Sequence, residues 1–443
     1  MRTAVKKWIF AGMIALTVLL FSGCNMRTVD EMYCLPKRSQ LYMNLQSEID
    51  KVMAGAEYNA PLSGENRQAV QMADLDGDGN AEYLLFTKTG SDRPLQIYIF
   101  SGEGDSYRLV DVIESAGTAF EQIEYVQMDK RQGVEIVVGR QVSDQVLRSL
   151  SVYTMNDGQM EQLMTANYSK FVCCDLNSDS RTELLLLRPG AVDSDNGVAE
   201  LYSIKNETME RSAEVNMSEP ADKIKRIMVS KLNDGRPAVY VASDVDGSAI
   251  ITDVYASVKG HFTNVSFSNE SGTSVQTLRN YYVYADDIDN DGVLELPSLI
   301  TMTMPPDFQS SKNHYLIRWY AMTSDGTEVD KMHTYHNFVG GWYVKLETEL
   351  ASRMLVVQQG NSYEFSIWDE TYTNTEKLMT IYVLTGQKRE EQASINNRFA
   401  IYRTESTVYA ADIEVISATY GITKETLISS FQLILEDWKT GET

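Results

Sequence analysis

From residue 61 to residue 337 the chain repeats one pattern of apolar and polar positions. A short apolar run leads into an acidic or polar turn, a denser apolar run follows, and two alternating runs close the unit. The dense runs read EYLLF, VEIVVG, ELLLL, AVYVA and ELPSLI. The pairs after them read LQIYIF with YRLVDVI, LRSLSVYTM with QMEQLM, AELYSI with MERSAEV, AIITDVYAS with TNVSFS, and YLIRWYAM with TEVDKMHTY. Runs of this length, rich in β-branched and aromatic residues and separated by turns such as SGEGDS, NDG and TSDG, predict antiparallel strands.

The turn between the first two runs gives the period. ADLDGDGNAEYLLF, CDLNSDSRTELLLL and DDIDNDGVLELPSLI carry one acidic phrase, and their marker aspartates are Asp74, Asp175 and Asp287. The gaps are 101 and 112 residues, each about two units of roughly fifty residues, so degenerate copies belong between them. YVQMDKRQGVEIVVG keeps Asp129 and Glu135. IMVSKLNDGRPAVYVAS keeps both flanking runs around a shortened turn at Asn233, Asp234 and Gly235. Four antiparallel strands per repeat is the pattern of a propeller blade, so the expected fold is mainly β, a β-propeller of about five blades. A sandwich of many short strands is the structural alternative, and it does not explain why the acidic turn returns at a fixed phase.

The flanks differ. Leu41, Leu45, Ile49 and Val52 in RSQLYMNLQSEIDKVM fall at helical spacing and predict one short helix packed on the blades. After His336 the pattern changes to strands and hairpins. Leu427, Phe431, Ile434, Leu435 and Trp438 form one apolar stripe that predicts a closing helix. The expected organisation is a leader over 1–23, a tether and helix over 24–60, the propeller over 61–337 and a small α+β domain over 338–443.

In the acidic turns, side chains at alternate positions 1, 3 and 5 converge on one ion, a glycine at 6 turns the chain back, and position 7 offers a carbonyl. An EF-hand would finish with glutamate at position 12 and continue into a helix; here position 12 of the first turn is Leu85 and strand formers surround it. The acid stands at position 9, as Glu82, Glu183 and Glu295. Dockerin modules fail on the same ground. A nine-residue acidic loop leading into a strand resembles the FG-GAP or VCBS-type repeats of calcium-binding propellers, strongly in three loops and weakly in two. The resemblance implies Ca2+ held between the first two strands of a blade. Its ligand sets would be Asp74, Asp76, Asp78, Asn80 and Glu82; Asp175, Asn177, Asp179, Arg181 and Glu183; and Asp287, Asp289, Asp291, Val293 and Glu295, the seventh residue of each serving through its carbonyl. Ser180 replaces the glycine of the third loop, so weaker binding is expected there. In the second, Gln127 and Arg131 occupy acidic positions, and Arg131 would repel a cation.

Arg2, Lys6 and Lys7 precede an apolar stretch, residues 8–21, too short to span a bilayer comfortably. Ser22, Gly23 and Cys24 resemble the lipobox of bacterial lipoproteins, with Phe21 in place of the usual leucine. This implies lipidation of Cys24 and a location on the extracytoplasmic face of the cell membrane. A plain secretory signal is the alternative. Removing the leader takes the net charge from −23 to −26, which disfavours nucleic acid as a partner. Cys34, Cys173 and Cys174 lack metal or redox spacing and read as buried thiols. The four histidines, His261, His314, His333 and His336, form no constellation. GxSxG, HExxH and the aspartate boxes of sialidases are absent, so no enzyme activity is expected. The expected role is a membrane-anchored calcium-binding scaffold for protein or glycan interaction or adhesion. The alternatives are an envelope enzyme acting on polysaccharide and an assembly or sensory lipoprotein.

Overall fold

The computed structural model describes residues 40–104, 106–142, 147–191, 196–280, 283–305 and 315–434 of the 443. The leader with Cys24, and Cys34, His314, Leu435 and Trp438, lie outside the described residues.

Six antiparallel sheets of four or five strands follow one short helix, Gln40–Met53. The first sheet orders Val70–Ala73, Glu82–Lys88, Leu95–Glu103 and Ser106–Ser115, with Glu57–Tyr58 extending its inner edge. The second runs Ala119–Val126, Glu135–Gln141, Arg148–Asn156 and Gln159–Tyr168. The third runs Lys170–Cys174, Glu183–Pro189, Gly197–Lys205 and Thr208–Asn216. The fourth runs Ile224–Lys231, Pro237–Val245, Ala249–Val258 and His261–Asn264. In the fifth, the first strand is reduced to an Asp286–Glu295 bridge ahead of Leu296–Thr301, Tyr315–Met322 and Glu328–Asn337. Trp342–Leu346 and Phe431–Leu433 complete that sheet, which therefore draws strands from both sides of residue 337. The sixth is built from residues 354–413.

The first five sheets stack face to face in chain order. Leu84, Phe86 and Ile97 meet Phe120, Ile136 and Val138. Val137 and Val152 meet Phe171, Leu184 and Leu186. Leu185 and Leu187 meet Val239, Val241 and Tyr255. Ala238, Tyr240 and Val254 meet Leu296, Tyr320 and Met322. This explains the unbroken run ELLLL: its strand is covered on both faces, so alternation has no solvent side to serve. The fourth strands lie outermost and return to alternation, as in Thr208–Asn216. Serial stacking of four-stranded meanders is propeller-like. The sixth sheet packs Phe365 and Ile381 on Leu316, Trp342 and Val344 of the fifth.

Both ends of the stack are covered. Leu45 and Ile49 of the helix lie on Leu85 and Phe100 of the first sheet, as their spacing predicts. On the fifth sheet, Ile434 joins Val283, Ile288, Ile317, Trp319 and Tyr343. The closing helix is shorter than its apolar stripe predicts. It covers Lys424–Ser430 behind a Thr423 cap, and Phe431–Leu433 is strand. Phe431 stacks on Trp342, 5.5 Å between ring centroids, and the pairing with Trp342–Val344 overrides helical spacing. Cys173 and Cys174 face opposite neighbours and are unbridged.

His333 and His336 are both buried on the strand Glu328–Asn337. His336 lies against Trp319, Phe338 and Tyr343. Burial pushes its pKa from 6.5 down to about 3. The folded state keeps the ring neutral where the unfolded chain protonates it. Its contribution is therefore full above the unfolded pKa and lost as pH falls towards 3. His336→Phe, which keeps an aromatic ring without the titration, is expected to reduce the acid-side slope of stability by up to about 1.4 kcal/mol per pH unit. Urea midpoints measured from pH 6.5 downwards check this, and a slope equal to that of the parent chain rules it out.

Candidate metal centres

The three acidic loops lie on one edge of the stack, each joining the first two strands of its sheet or, in the fifth, the bridge that replaces the first strand. Their wiring is shared. The carboxylate at position 1 accepts from backbone N–H groups later in the loop: Asp74 from Gly77 (2.8 Å) and Gly79 (3.0 Å), Asp175 from Asp179 (3.2 Å) and Ser180 (2.8 Å), Asp287 from Asp291 and Gly292 (2.9 Å each). The residue at position 5 accepts from the amide at position 7, so Asp78, Asp179 and Asp291 are held by Asn80, Arg181 and Val293. Asp76, Asn177 and Asp289 accept from the amide at position 5. Ligand atoms of Asp74, Asp76 and Asp78, of Asp175, Asp179 and Glu183, and of Asp287, Asp289 and Asp291 lie within 4.8 Å of one another in each loop.

The glutamate at position 9 has a second task. One of its oxygens accepts from the amide at position 2, at 2.9 Å in Leu75–Glu82, 2.8 Å in Leu176–Glu183 and 3.1 Å in Ile288–Glu295. Position 2 is apolar and buried each time. Its recurrence as Leu75, Met128, Leu176 and Ile288 is a sequence signal that the acidic residues overshadow. The other oxygen differs between loops. Ser101 Oγ donates to Glu82 Oε1 at 3.1 Å, and the Asn177 amide donates to Glu183 Oε1. In the fifth sheet the residue opposite Glu295 is Ala321. Glu295 is fully buried, and its Oε1 has no hydrogen-bond partner among the described residues. Burial first, then nearby aspartates, raises these acids: Glu183 to about 7 and Glu295 to about 8. Glu82 is raised in the same direction by burial.

Two backbone positions are left-handed in all three acidic loops, the first, third and fifth. Position 6 has φ of +88° at Gly79, +65° at Ser180 and +83° at Gly292. Position 4 has +77° at Gly77, +61° at Ser178 and +65° at Asn290, a requirement hidden by three different residue types. Gly77 also touches its neighbour: a Cβ there would fall 2.5 Å from the nitrogen of Gly133 in the second loop. Adjacent loops are joined by Val134 N–H on the Asp74 carbonyl (3.1 Å) and Thr182 N–H on the Gln127 carbonyl (2.7 Å).

Basic side chains grade the loops. The Arg181 guanidinium bonds Asp179 at 2.8 Å within the third. The Lys331 ammonium reaches Asp291 at 2.7 Å from a neighbouring strand and holds that carboxyl below its usual range. In the second loop Arg131 bonds Asp129 at 2.7 Å and lies 3.7 Å from Glu135. The fourth unit has only its turn at Asn233, Asp234 and Gly235. Hard carboxylate oxygens in the first, third and fifth loops, with no thiol or imidazole, and the unpartnered Glu295 Oε1 fit calcium or another hard divalent cation.

A separate cleft of about 570 Å3 runs along the first strands of the second to fourth sheets, lined among others by Glu65, Arg67, Glu124, Lys170 and Lys225. Burial raises the Glu124 carboxyl and lowers the Lys170 ammonium.

No family model and no curated protein matches the chain. Among solved structures it is similar to the exotype rhamnogalacturonan lyase YesX, at 12% identity and a TM-score of 0.29, over 72% of this chain and 68% of that one. It is also similar to the rhamnogalacturonan lyase YesW, at 10% identity and a TM-score of 0.28 over 73% and 74% of the two chains. A protein from Lactobacillus plantarum matches at 11% identity and a TM-score of 0.26 over 72% and 86%. Likeness at this level bears on neither site nor reaction.

Ser180 holds φ +65° where the first and fifth loops have glycine. A left-handed backbone costs a non-glycine residue about 1 kcal/mol or more, offset partly by glycine's greater freedom when unfolded. Ser180→Gly is expected to stabilise the chain by about 0.5–1 kcal/mol in chelator. Denaturant midpoints check it, and a loss of stability refutes it.

Proposed function

We propose that the chain is an extracytoplasmic calcium-binding propeller of the FG-GAP or VCBS type, anchored in the cell membrane through lipid on Cys24, and a scaffold for a protein or glycan partner. The observation that carries the reading is one wired acidic loop returning on the same edge of the first, third and fifth sheets, with a buried glutamate oxygen lacking a donor in the fifth. A buried polar atom left unsatisfied costs about 1–3 kcal/mol, and more when charged. A divalent cation bound by Asp287, Asp289, Asp291, Glu295 and the Val293 carbonyl removes that cost and the repulsion between the aspartates. The first loop offers Asp74, Asp76, Asp78, Glu82 and the Asn80 carbonyl, with no basic side chain bonded to its aspartates among the described residues, so it is the tightest of the three. The third offers Asp175, Asn177, Asp179, Glu183 and the Arg181 carbonyl. Its Arg181–Asp179 pair and strained Ser180 make it the weakest. Binding sites of order 10⁻⁴–10⁻³ M suffice outside a cell, so the ions act as structural clasps rather than as a sensor.

Two measurements test the reading. At a calcium concentration 100 times Kd, one site stabilises the fold by about 2.7 kcal/mol, so melting in calcium is expected well above melting in chelator. Asp287→Asn with Asp289→Asn is expected to remove one calorimetric binding event and part of the shift; no heat and no shift in the parent chain refutes calcium binding. The anchor is checked separately by detergent partitioning. Cys24→Ala is expected to move the protein from the membrane to the soluble fraction, and a variant that still sediments with membranes refutes lipidation as the anchor.

A further inference from the structure

The second loop keeps two acids, Asp129 and Glu135, and the closing contact of its neighbours, while Lys130 and Gln132 lack the left-handed backbone of their positions 4 and 6. Glu135 is buried, and its Oε2 accepts from Met128 N–H at 2.8 Å, as the glutamate does in the other loops. Thr154 takes the place of Ser101 and donates to Glu135 Oε1 at 3.2 Å. At position 5, where the other loops have aspartate, stands Arg131. Its Nε donates to Asp129 Oδ2 at 2.7 Å, its amide to Asp129 Oδ1 at 2.7 Å, and its terminal nitrogen to Thr154 Oγ1 at 2.8 Å. The same nitrogen lies 3.7 Å from Glu135 Oε1. At position 1, Gln127 donates where an aspartate would accept, and its amide bonds the carbonyls of Asp129 and Arg131.

We infer that the second loop is a cation site filled by the protein itself: the guanidinium of Arg131 bridges Asp129 and Glu135 in the role a metal ion has in the loops of the first and third sheets. Two carboxylates face one guanidinium here, whereas four carboxylates crowd the first loop. A guanidinium matches carboxylate geometry through directed donors and stays charged at any physiological pH. Being tethered, it cannot be removed by dilution or chelation. The comparison with the neighbouring loops rests on the calcium reading of those loops; the role of Arg131 does not.

This placement gives the loop a further task. Its Val134 amide bonds the Asp74 carbonyl of the first loop, and its Gln127 carbonyl accepts from Thr182 of the third. Gly133 is pressed so close to the first loop that a Cβ would fall 2.2 Å from the Leu75 carbonyl oxygen. A loop held by its own cation therefore holds the backbones on either side near their ion-binding shape, which lowers the ordering cost of ion capture.

The test uses the full-length chain with Arg131→Met, Arg131→Lys and the double variant Gln127→Asp with Arg131→Asp. In chelator, R131M is expected to melt about 1–2 °C below the parent. R131K, which keeps the charge but not the fork, is expected to recover part of that loss. The double variant is expected to bind one more calcium than the parent by titration calorimetry. R131M melting like the parent overturns the inference, and so does R131K melting as low as R131M. A double variant without the added event, beside a parent that binds calcium, overturns it as well. A parent that binds no calcium removes the reading of the other loops, and the R131M and R131K melts in chelator still decide the role of Arg131.

Discussion

A buried glutamate oxygen accepting from the amide seven residues before it recurs in four of the five repeats, between Leu75 and Glu82, Met128 and Glu135, Leu176 and Glu183, and Ile288 and Glu295. The bond closes the turn and fixes where the second strand begins. It also pins an apolar residue into the gap between sheets. It does so by drawing a carboxylate out of water beside other carboxylates, which is unfavourable until positive charge arrives. The loops differ in how that charge is supplied. The second contains its own guanidinium. The third and fifth lean on Arg181 and Lys331 at a single aspartate. The first has no such partner at its aspartates among the described residues. One geometric solution for the backbone thus leaves an electrostatic debt that each repeat settles differently.

Much of the fold is legible in the sequence because it is local. The dense second runs announce strands buried on both faces, and the spacing of Leu45 and Ile49 announces the helix that lies on the first sheet. The acidic positions that meet in space are the ones whose alternation predicts it. What escapes the sequence is backbone shape and distant pairing. Position 4 of the loop is left-handed at Gly77, Ser178 and Asn290, residues with nothing else in common. Phe431–Leu433 carries helical spacing, and only the distant strand Trp342–Leu346 turns it into a fifth strand. Arg131 is the intermediate case. Its sequence position shows that it would repel a cation, and the structure shows the other side of the same Coulomb interaction, since a charge that excludes an ion can also stand in for it.

The repeats are therefore alike in fold and unlike in chemistry. Burial between sheets tolerates little: Leu184, Leu185, Leu186 and Leu187 are all fully enclosed, and each contributes about 1.5–3 kcal/mol. Loop side chains that point away from the core are under no such packing constraint, so one position can hold Asp78, Arg131, Asp179 or Asp291 between the same two strands, with the backbone around Arg131 lacking the left-handed turns of the other three.

The two covered faces at the ends of the stack set an order of events in synthesis. Helix Gln40–Met53 emerges before the sheet it covers, so the outer wall of the first sheet is shielded as soon as it forms. The fifth sheet is made long before its last strand and Ile434. Ile317, Trp319 and Tyr343 thus wait for Ile434 with Val283, Ile288 and the partly buried Leu299, Met332 and Phe338 packed beside them. The nascent chain therefore carries an incompletely covered apolar face late in synthesis, when most of its sheets are already made.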